Sequence, residues 1–251
     1  MFCRNTLKKI IIYYCESYEI FIIFAHKQIC LIFYCLKNNM LHVHSFTFNP
    51  FQENTYILYD QTKECIIIDP GCNNYNENTT LSSYITEMGL KPVRLINTHC
   101  HIDHVLGNDY VYRTYGLKPE FHRGEQPLLD SMDRVAKMYD VPMTPSPEAL
   151  RYIEEGELIH FGYSVLETIL TPGHSPASLC LYSAQNGICI AGDVLFYGSI
   201  GRTDLPGGDY DTLINSIEQK LMKLPDETIV YPGHGESTTI GYERKTNPFL
   251  Q

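Results

Sequence analysis

From Met40 onward, short β-branched and aromatic runs alternate with turn residues, whereas the preceding segment mixes apolar and charged positions without a clean period. HVHSFTFNPFQENTYILYD and ECIIIDPG read as successive strands bounded by Asn, Pro and Gly. In TTLSSYITEMGL the apolar positions Leu81, Tyr84, Ile85 and Met88 recur at helical spacing, and Gly89 ends the pattern. PVRLINTH is the next strand, Glu125 to Tyr139 suits a helix, and VPMTPSP is a Pro-rich connector. ELIHFGYSVLETILTPGH and LCLYSAQNGICIAGDVLF each read as a hairpin. A helix is expected from Tyr210 to Leu224, and ETIVYPGHG is a last strand. Strands mixed with flanking helices, hairpins among them, predict an α/β fold of mixed sheets covered by helices.

The first 39 residues resist that scheme. KKIIIYYCESYEIFIIFAHKQICLIFYCL is rich in Ile, Phe, Tyr and Cys but is broken by Glu16, Glu19, His26, Lys27 and Gln28. A spanning helix needs about 20 largely apolar residues, and the uninterrupted runs here are much shorter. Acidic residues also spoil a signal peptide, and no small-residue cleavage site follows. Residues 1–39 are therefore expected to lie outside the fold, with translation starting at Met40 and residues 40–251 forming the functional domain. The alternative for this segment is membrane association, against which the charged interruptions argue.

Charge and cysteine usage narrow the function classes. Five Lys/Arg and two Asp/Glu precede Met40, so the remainder carries −13 of a chain total of −10. Such a body repels phosphate backbones, which argues against nucleic acid as a partner. Nine cysteines are irregularly spaced and form no CxxC pair, so they read as reduced thiols of a cytoplasmic protein rather than a structural zinc site.

The densest chemistry lies in NTHCHIDHVLGN, where His99, His101, Asp103 and His104 fall within six positions. His99 and His101 are two apart, so in an extended segment both imidazoles project to one side and can share an ion. Asp103 and His104 then follow at a turn and offer ligands to a neighbouring ion. TPGHSP with His174, AGDVLF with Asp193 and YPGHGE with His234 each follow an apolar strand. Pro-Gly and Gly-Asp are ordinary turn dipeptides taken singly. Their joint occurrence gives five histidines and two aspartates, enough for two ions and a bridging carboxylate. Cys100 alternates away from its histidine neighbours and reads as packing, and His26, His42, His44, His122 and His160 have no partner motif.

THxHxDH, a PGH, a GD after an apolar strand and a second PGH resemble the metallo-β-lactamase superfamily over residues 40–251. IDPG, GRTDLPGGDY and TTIGYERKTNPFL look most like its glyoxalase II (hydroxyacylglutathione hydrolase) branch, in a short form without the C-terminal helical domain. The resemblance implies an αββα four-layer sandwich: two mixed sheets face to face with helices on the outer faces. It implies that His99, His101 and His174 hold one ion and Asp103, His104 and His234 the other, with Asp193 bridging. Asp69 would support the ligand loop by hydrogen bonds rather than bind metal.

Two ions about 3.5 to 4 Å apart would activate a bridging hydroxide to hydrolyse a thioester such as a hydroxyacylglutathione. Asp103 or Asp193 would handle the proton. Nitrogen and carboxylate donors without thiolate suit two zinc ions, with iron or manganese tolerated. Arg202 and Tyr197 are candidate substrate contacts for a small-molecule partner. Members that hydrolyse lactams typically place a cysteine at the position of Asp193, which argues against that activity. The alternatives are a persulfide dioxygenase with a single iron, whose final strand motif usually differs from PGHG, and a non-catalytic metal-binding module.

Overall fold

The computed structural model describes residues 40–251, and the expectations for residues 1–39, including a start at Met40, lie outside the described residues. The first sheet is built from β1 (His42–Phe48), β2 (Glu53–Tyr59), β3 (Glu64–Ile68), β4 (Lys91–Ile96), β5 (Pro119–Phe121) and β6 (Arg151–Tyr152). These lie side by side in chain order, antiparallel from β1 to β3 and parallel from β3 to β6. The second half of the chain supplies β7 (Leu158–Phe161), β8 (Ser164–Leu170), β9 (Leu179–Ser183) and β10 (Ile188–Gly192). A two-stranded ribbon of β11 (Leu195–Phe196) and β12 (Ser199–Ile200) follows, then β13 (Ile229–Pro232) and β14 (Thr238–Thr239). The second sheet runs β14-β13-β10-β9-β8-β7, parallel only between β10 and β13.

Alternation along the strands sorts side chains into layers. In β2, which is buried throughout, Tyr56 and Leu58 join Ile66 and Ile68 of β3 against Leu166, Leu179, Leu181 and Ile190 of the facing sheet. Ile57 and Tyr59 point the other way, with Ile67 and Leu95, onto Leu81 and Ile85 of helix α1 (Tyr75–Glu87). The second sheet does the same: Cys180, Cys189 and Ala191 meet Leu213 and Ile217 of a later helix. The result is the expected four layers, helix–sheet–sheet–helix. Ile66, fully buried between the sheets, is expected to lose about 1 kcal/mol of unfolding free energy on Ile66→Val, read by denaturant titration.

Several elements depart from the sequence reading for local reasons. α1 starts a turn early because the Asn74 side chain accepts from the Glu77 amide at 3.1 Å. Asp103 and His104 sit not at a turn but on the single-turn helix α2 (Ile102–Val105), which α3 (Asn108–Tyr115) follows. Both are too short to show a period. The stretch expected as one helix from Glu125 divides into α4 (Gln126–Asp130) and α5 (Met132–Tyr139). Between them the Ser131 hydroxyl donates to the Leu128 carbonyl at 2.8 Å, a local bond that competes with the helical ladder. α6 (Tyr210–Gln219) ends before Leu224, which is extended at ψ 155° because Pro225 follows it. α7 (Ile240–Thr246), capped by Thr239, closes the described chain. Among the described residues no helix is long and apolar enough to cross a membrane.

Candidate metal centre

The stretches singled out in the sequence all leave strand ends. His99 and His101 follow β4, His174 lies in the loop after β8, Asp193 follows β10 and His234 follows β13. The ends of the two sheets are tied together by β2. The Asn54 amide donates to the Gly233 carbonyl at 2.7 Å, while its side chain donates to the carbonyls of Pro232 at 3.1 Å and Gly235 at 2.9 Å. The glycines of the PGH motifs allow close approach. A Cβ on Gly233 would lie 2.1 Å from Asp193 Oδ1 and 2.7 Å from His104 Cε1. Gly173 has φ +128°, and a Cβ there would meet the Leu213 backbone nitrogen at 2.2 Å.

Two groups of donor atoms result, His99 with His101 and His174, and Asp103 with His104 and His234; within each, all atoms lie within 4.8 Å of one another. In the first, His174 Nε2 is 2.9 Å from His101 Nδ1 and 3.3 Å from His99 Nε2. In the second, His234 Nε2 is 3.1 Å from Asp103 Oδ2 and His104 Nε2 is 3.6 Å from the same oxygen. Asp193 stands between them: Oδ1 is 3.4 Å from His104 Nε2, and Oδ2 is 3.5 Å from both His174 Nε2 and His234 Nε2. Asp69 also falls near His99 and His104, but its contact is with the outer nitrogen of His104.

The outer nitrogens decide what the inner ones can do. His99 Nδ1 faces Thr98 Oγ1 at 3.1 Å and His104 Nδ1 faces Asp69 Oδ2 at 3.1 Å. His174 Nδ1 faces the Arg202 carbonyl at 2.8 Å and His234 Nδ1 the Gln52 carbonyl at 3.1 Å. With the proton assigned to each outer nitrogen from this network, the lone pairs of the inner ones converge. His101 Nε2, His104 Nε2 and Asp193 Oδ1 are buried without a hydrogen-bond partner. Orphaned buried acceptors are costly, and a cation held in each group would satisfy His104 Nε2 and Asp193 Oδ1. The residues therefore fit two divalent ions.

Electrostatics agree with that fit. Burial pushes His99 and His174 down and His101 to about 3, with the neighbouring imidazoles adding to the effect, so these three present neutral nitrogens. Burial would raise Asp103 and Asp193, but His104 beside them holds both below the usual carboxylate range. The reciprocal pull overcomes burial at His104, which is raised, and at His234, which reaches about 9. The carboxylates thus demand positive charge at the centre of the site.

Two carboxylates stiffen the ligand loops. Asp69, in the left-handed region at φ 48°, accepts from the Thr98 amide at 2.7 Å and the Thr98 hydroxyl at 2.6 Å while facing His104. Asp69→Asn tolerates that φ and removes the charge. It is expected to weaken zinc binding about tenfold, measured by competition with a chelating dye. Glu125, unmarked by any motif, is fully buried and accepts from the Cys100 amide at 2.9 Å, the Ser175 hydroxyl at 2.7 Å and the Ala177 amide at 2.6 Å. It joins the His99–His101 segment to the His174 loop. The sequence showed only an acidic residue opening an apolar helix.

Arg202 and Tyr197 both line the cleft over the centre. Arg202 is bidentate to Asp204 at 2.6 and 2.8 Å, and Tyr197 stacks on Tyr242 with ring centroids 5.0 Å apart. The five cysteines among the described residues are free and buried, and burial pushes the Cys100 thiol well up. His42 stacks on Tyr59 and His44 on Tyr84, outside the centre.

A four-layer sandwich carrying paired histidine and aspartate groups at its strand ends defines a class, and the chain belongs to the metallo-beta-lactamase superfamily, whose profile matches residues 48–234. It is 39% identical over 203 residues to the probable metallo-hydrolase YqgX of Bacillus subtilis, covering 80% of this chain and 93% of that one. It is 36% identical over 202 residues to hydroxyacylglutathione hydrolase GloC of Haemophilus influenzae, covering 80% and 93%. Among solved structures, BLEG-1 B3 metallo-beta-lactamase superposes with a TM-score of 0.77 at 35% identity, covering 84% of this chain and all of that one. TTHA1623 in a di-iron-bound form superposes with a TM-score of 0.75 at 36% identity, covering 83% of this chain and all of that one. Family and donor set together support divalent metal binding.

Proposed function

We propose that the chain is a dinuclear metal-dependent hydrolase acting on thioesters of small molecules. The observation that carries this reading is Asp193, whose two oxygens reach histidines of both donor groups. His99, His101 and His174 would hold one ion, Asp103, His104 and His234 the other, and Asp193 would bridge. When bound, the ions supply Lewis-acid activation of water and polarisation of the substrate carbonyl. Zinc is the metal we assign from the donor chemistry; the di-iron form of TTHA1623 makes iron the alternative.

The chain's own groups complete the reaction. Hydrolysis forms an acyl C–O bond, breaks the C–S bond and leaves a carboxylate and a thiol, with one proton released. Asp103 is placed to accept a proton from water, because its contacts with His104 and His234 fall on Oδ2 alone, whereas both oxygens of Asp193 face imidazoles. The carbonyl of Arg202 and that of Gln52 hold His174 and His234 in orientation. The 36% identity to GloC supports a thioester over other acyl compounds.

The test is metal content per chain measured beside thiol release from a thioester panel that includes S-lactoylglutathione. Two ions with thiol release support the proposal. One iron per chain with oxygen consumption would replace it with the dioxygenase reading, and metal without turnover with a binding module. The likeness to BLEG-1 favours a second reading, lactam hydrolysis at the same centre, for which a chromogenic cephalosporin is the assay.

A further inference from the structure

The candidate ligands occupy only part of the cleft they line, whose volume is about 1380 Å³. One wall comes from α4 and α5. Met132, Val135 and then Met138 and Tyr139 of α5 follow at steps of three and four, so they share a face, and Leu128 of α4 lines the same cleft. Leu128 and Met132 are buried, but Met138 is 71% and Tyr139 45% exposed, so the apolar strip continues beyond what the core covers. A second wall, from the chain after Asp193, presents Phe196, Ile200, Leu205 and Pro206 to the same space. Apolar surface of this extent next to a reactive centre marks a binding surface rather than a packing remainder.

The polar lining does not match a short hydroxyacyl group on a charged peptide. Outside the ligand set, the charged residues on the cleft are Arg134, Arg202 and Glu236, and Arg202 is already paired with Asp204. A glutathionyl group brings two carboxylates and an ammonium, which need more free cations than this wall offers. Unbranched methionines adapt to flexible chains, and Met132 and Met138 stand on the apolar wall.

The geometry points to a thioester whose acyl part is an extended hydrocarbon chain, laid along the Leu128–Tyr139 wall with its carbonyl at the metal centre. This deepens the hydrolase reading and rests on it. The acyl group is the specificity element, and the wall is the part of the site that reads it.

The metal-loaded enzyme is assayed with acetyl, lactoyl and octanoyl thioesters of one uncharged thiol, N-acetylcysteamine. Each buried methylene contributes about fourfold, so with about half of its six additional methylenes buried, octanoyl is expected to exceed acetyl in kcat/KM by about 60-fold. Binding of free octanoate, followed by calorimetry, gives a readout apart from turnover. Val135→Asp and Met138→Glu are expected to lower octanoate affinity and the octanoyl-to-acetyl ratio about tenfold each; Met138 is exposed, so its variant keeps the fold, which an unchanged melting temperature verifies. Equal or better use of lactoyl overturns the inference and leaves the hydrolase standing, as does an unmoved ratio in both variants. Thiol release from none of the three overturns the hydrolase reading and this inference together.

Discussion

Asp193→Ala is expected to lower kcat/KM for thioester hydrolysis by about three orders of magnitude, the scale on which a preorganised charge at a reacting centre contributes. It is also expected to reduce bound metal from two ions per chain toward one. Asp193 is the group on which the two donor sets meet, with contacts of 3.4 to 3.5 Å to His104, His174 and His234. Removing it would deprive both proposed ions of a ligand and would leave those imidazoles facing one another without an intervening anion. Gly233 packs against the same carboxylate, so an alanine also opens a gap there. Asp193→Asn keeps the volume and one carbonyl oxygen while removing the negative charge, and should fall between wild type and alanine in metal content. Metal analysis beside steady-state kinetics checks both; two retained ions with turnover within tenfold of wild type would falsify the bridging role.

Why this centre was legible from sequence, while its supports were not, follows from where each kind of information resides. The candidate ligands come in short motifs because a strand end delivers neighbouring residues together. His99, His101, Asp103 and His104 follow β4, and Gly233 of the second PGH marks a place where backbone must approach within van der Waals contact of Asp193 and His104. The layers were legible too, since Tyr56 and Leu58 alternate with Ile57 and Tyr59 and each set needs a different neighbour. Single-turn helices such as α2 carry too few residues for a period, so Asp103 and His104 read as a turn. The break at Ser131 depends on one hydroxyl choosing a local carbonyl, which spacing cannot show. Glu125 was invisible for a different reason. Its three partners lie 25, 50 and 52 positions away, so its role exists only once the fold has closed.

That long-range role makes Glu125 the second large test. Glu125→Ala would strand the amides of Cys100 and Ala177 inside the protein, while the Ser175 hydroxyl keeps the Ser178 hydroxyl at 2.6 Å. Each unsatisfied buried group costs about 1 to 3 kcal/mol, so a loss of about 3 to 5 kcal/mol of unfolding free energy is expected. Because Cys100 lies between His99 and His101 and Ser175 follows His174, the same change frees both ligand loops. Zinc affinity should drop by about 10- to 100-fold. Glu125→Gln separates the two consequences. The amide fills the same space, but its NH2 end must face a donor where a carboxylate oxygen accepted one. It should therefore recover most of the packing while still misplacing one loop, giving an intermediate loss of stability. Burial already lifts the Glu125 carboxyl above its ordinary value despite these three donors, so the charge itself is held at some cost. Thermal melts of the zinc-loaded and chelated forms, with metal titration on each variant, resolve the contributions. If Glu125→Ala binds zinc as tightly as wild type, the carboxylate serves the fold alone and the ligand loops hold their shape without it.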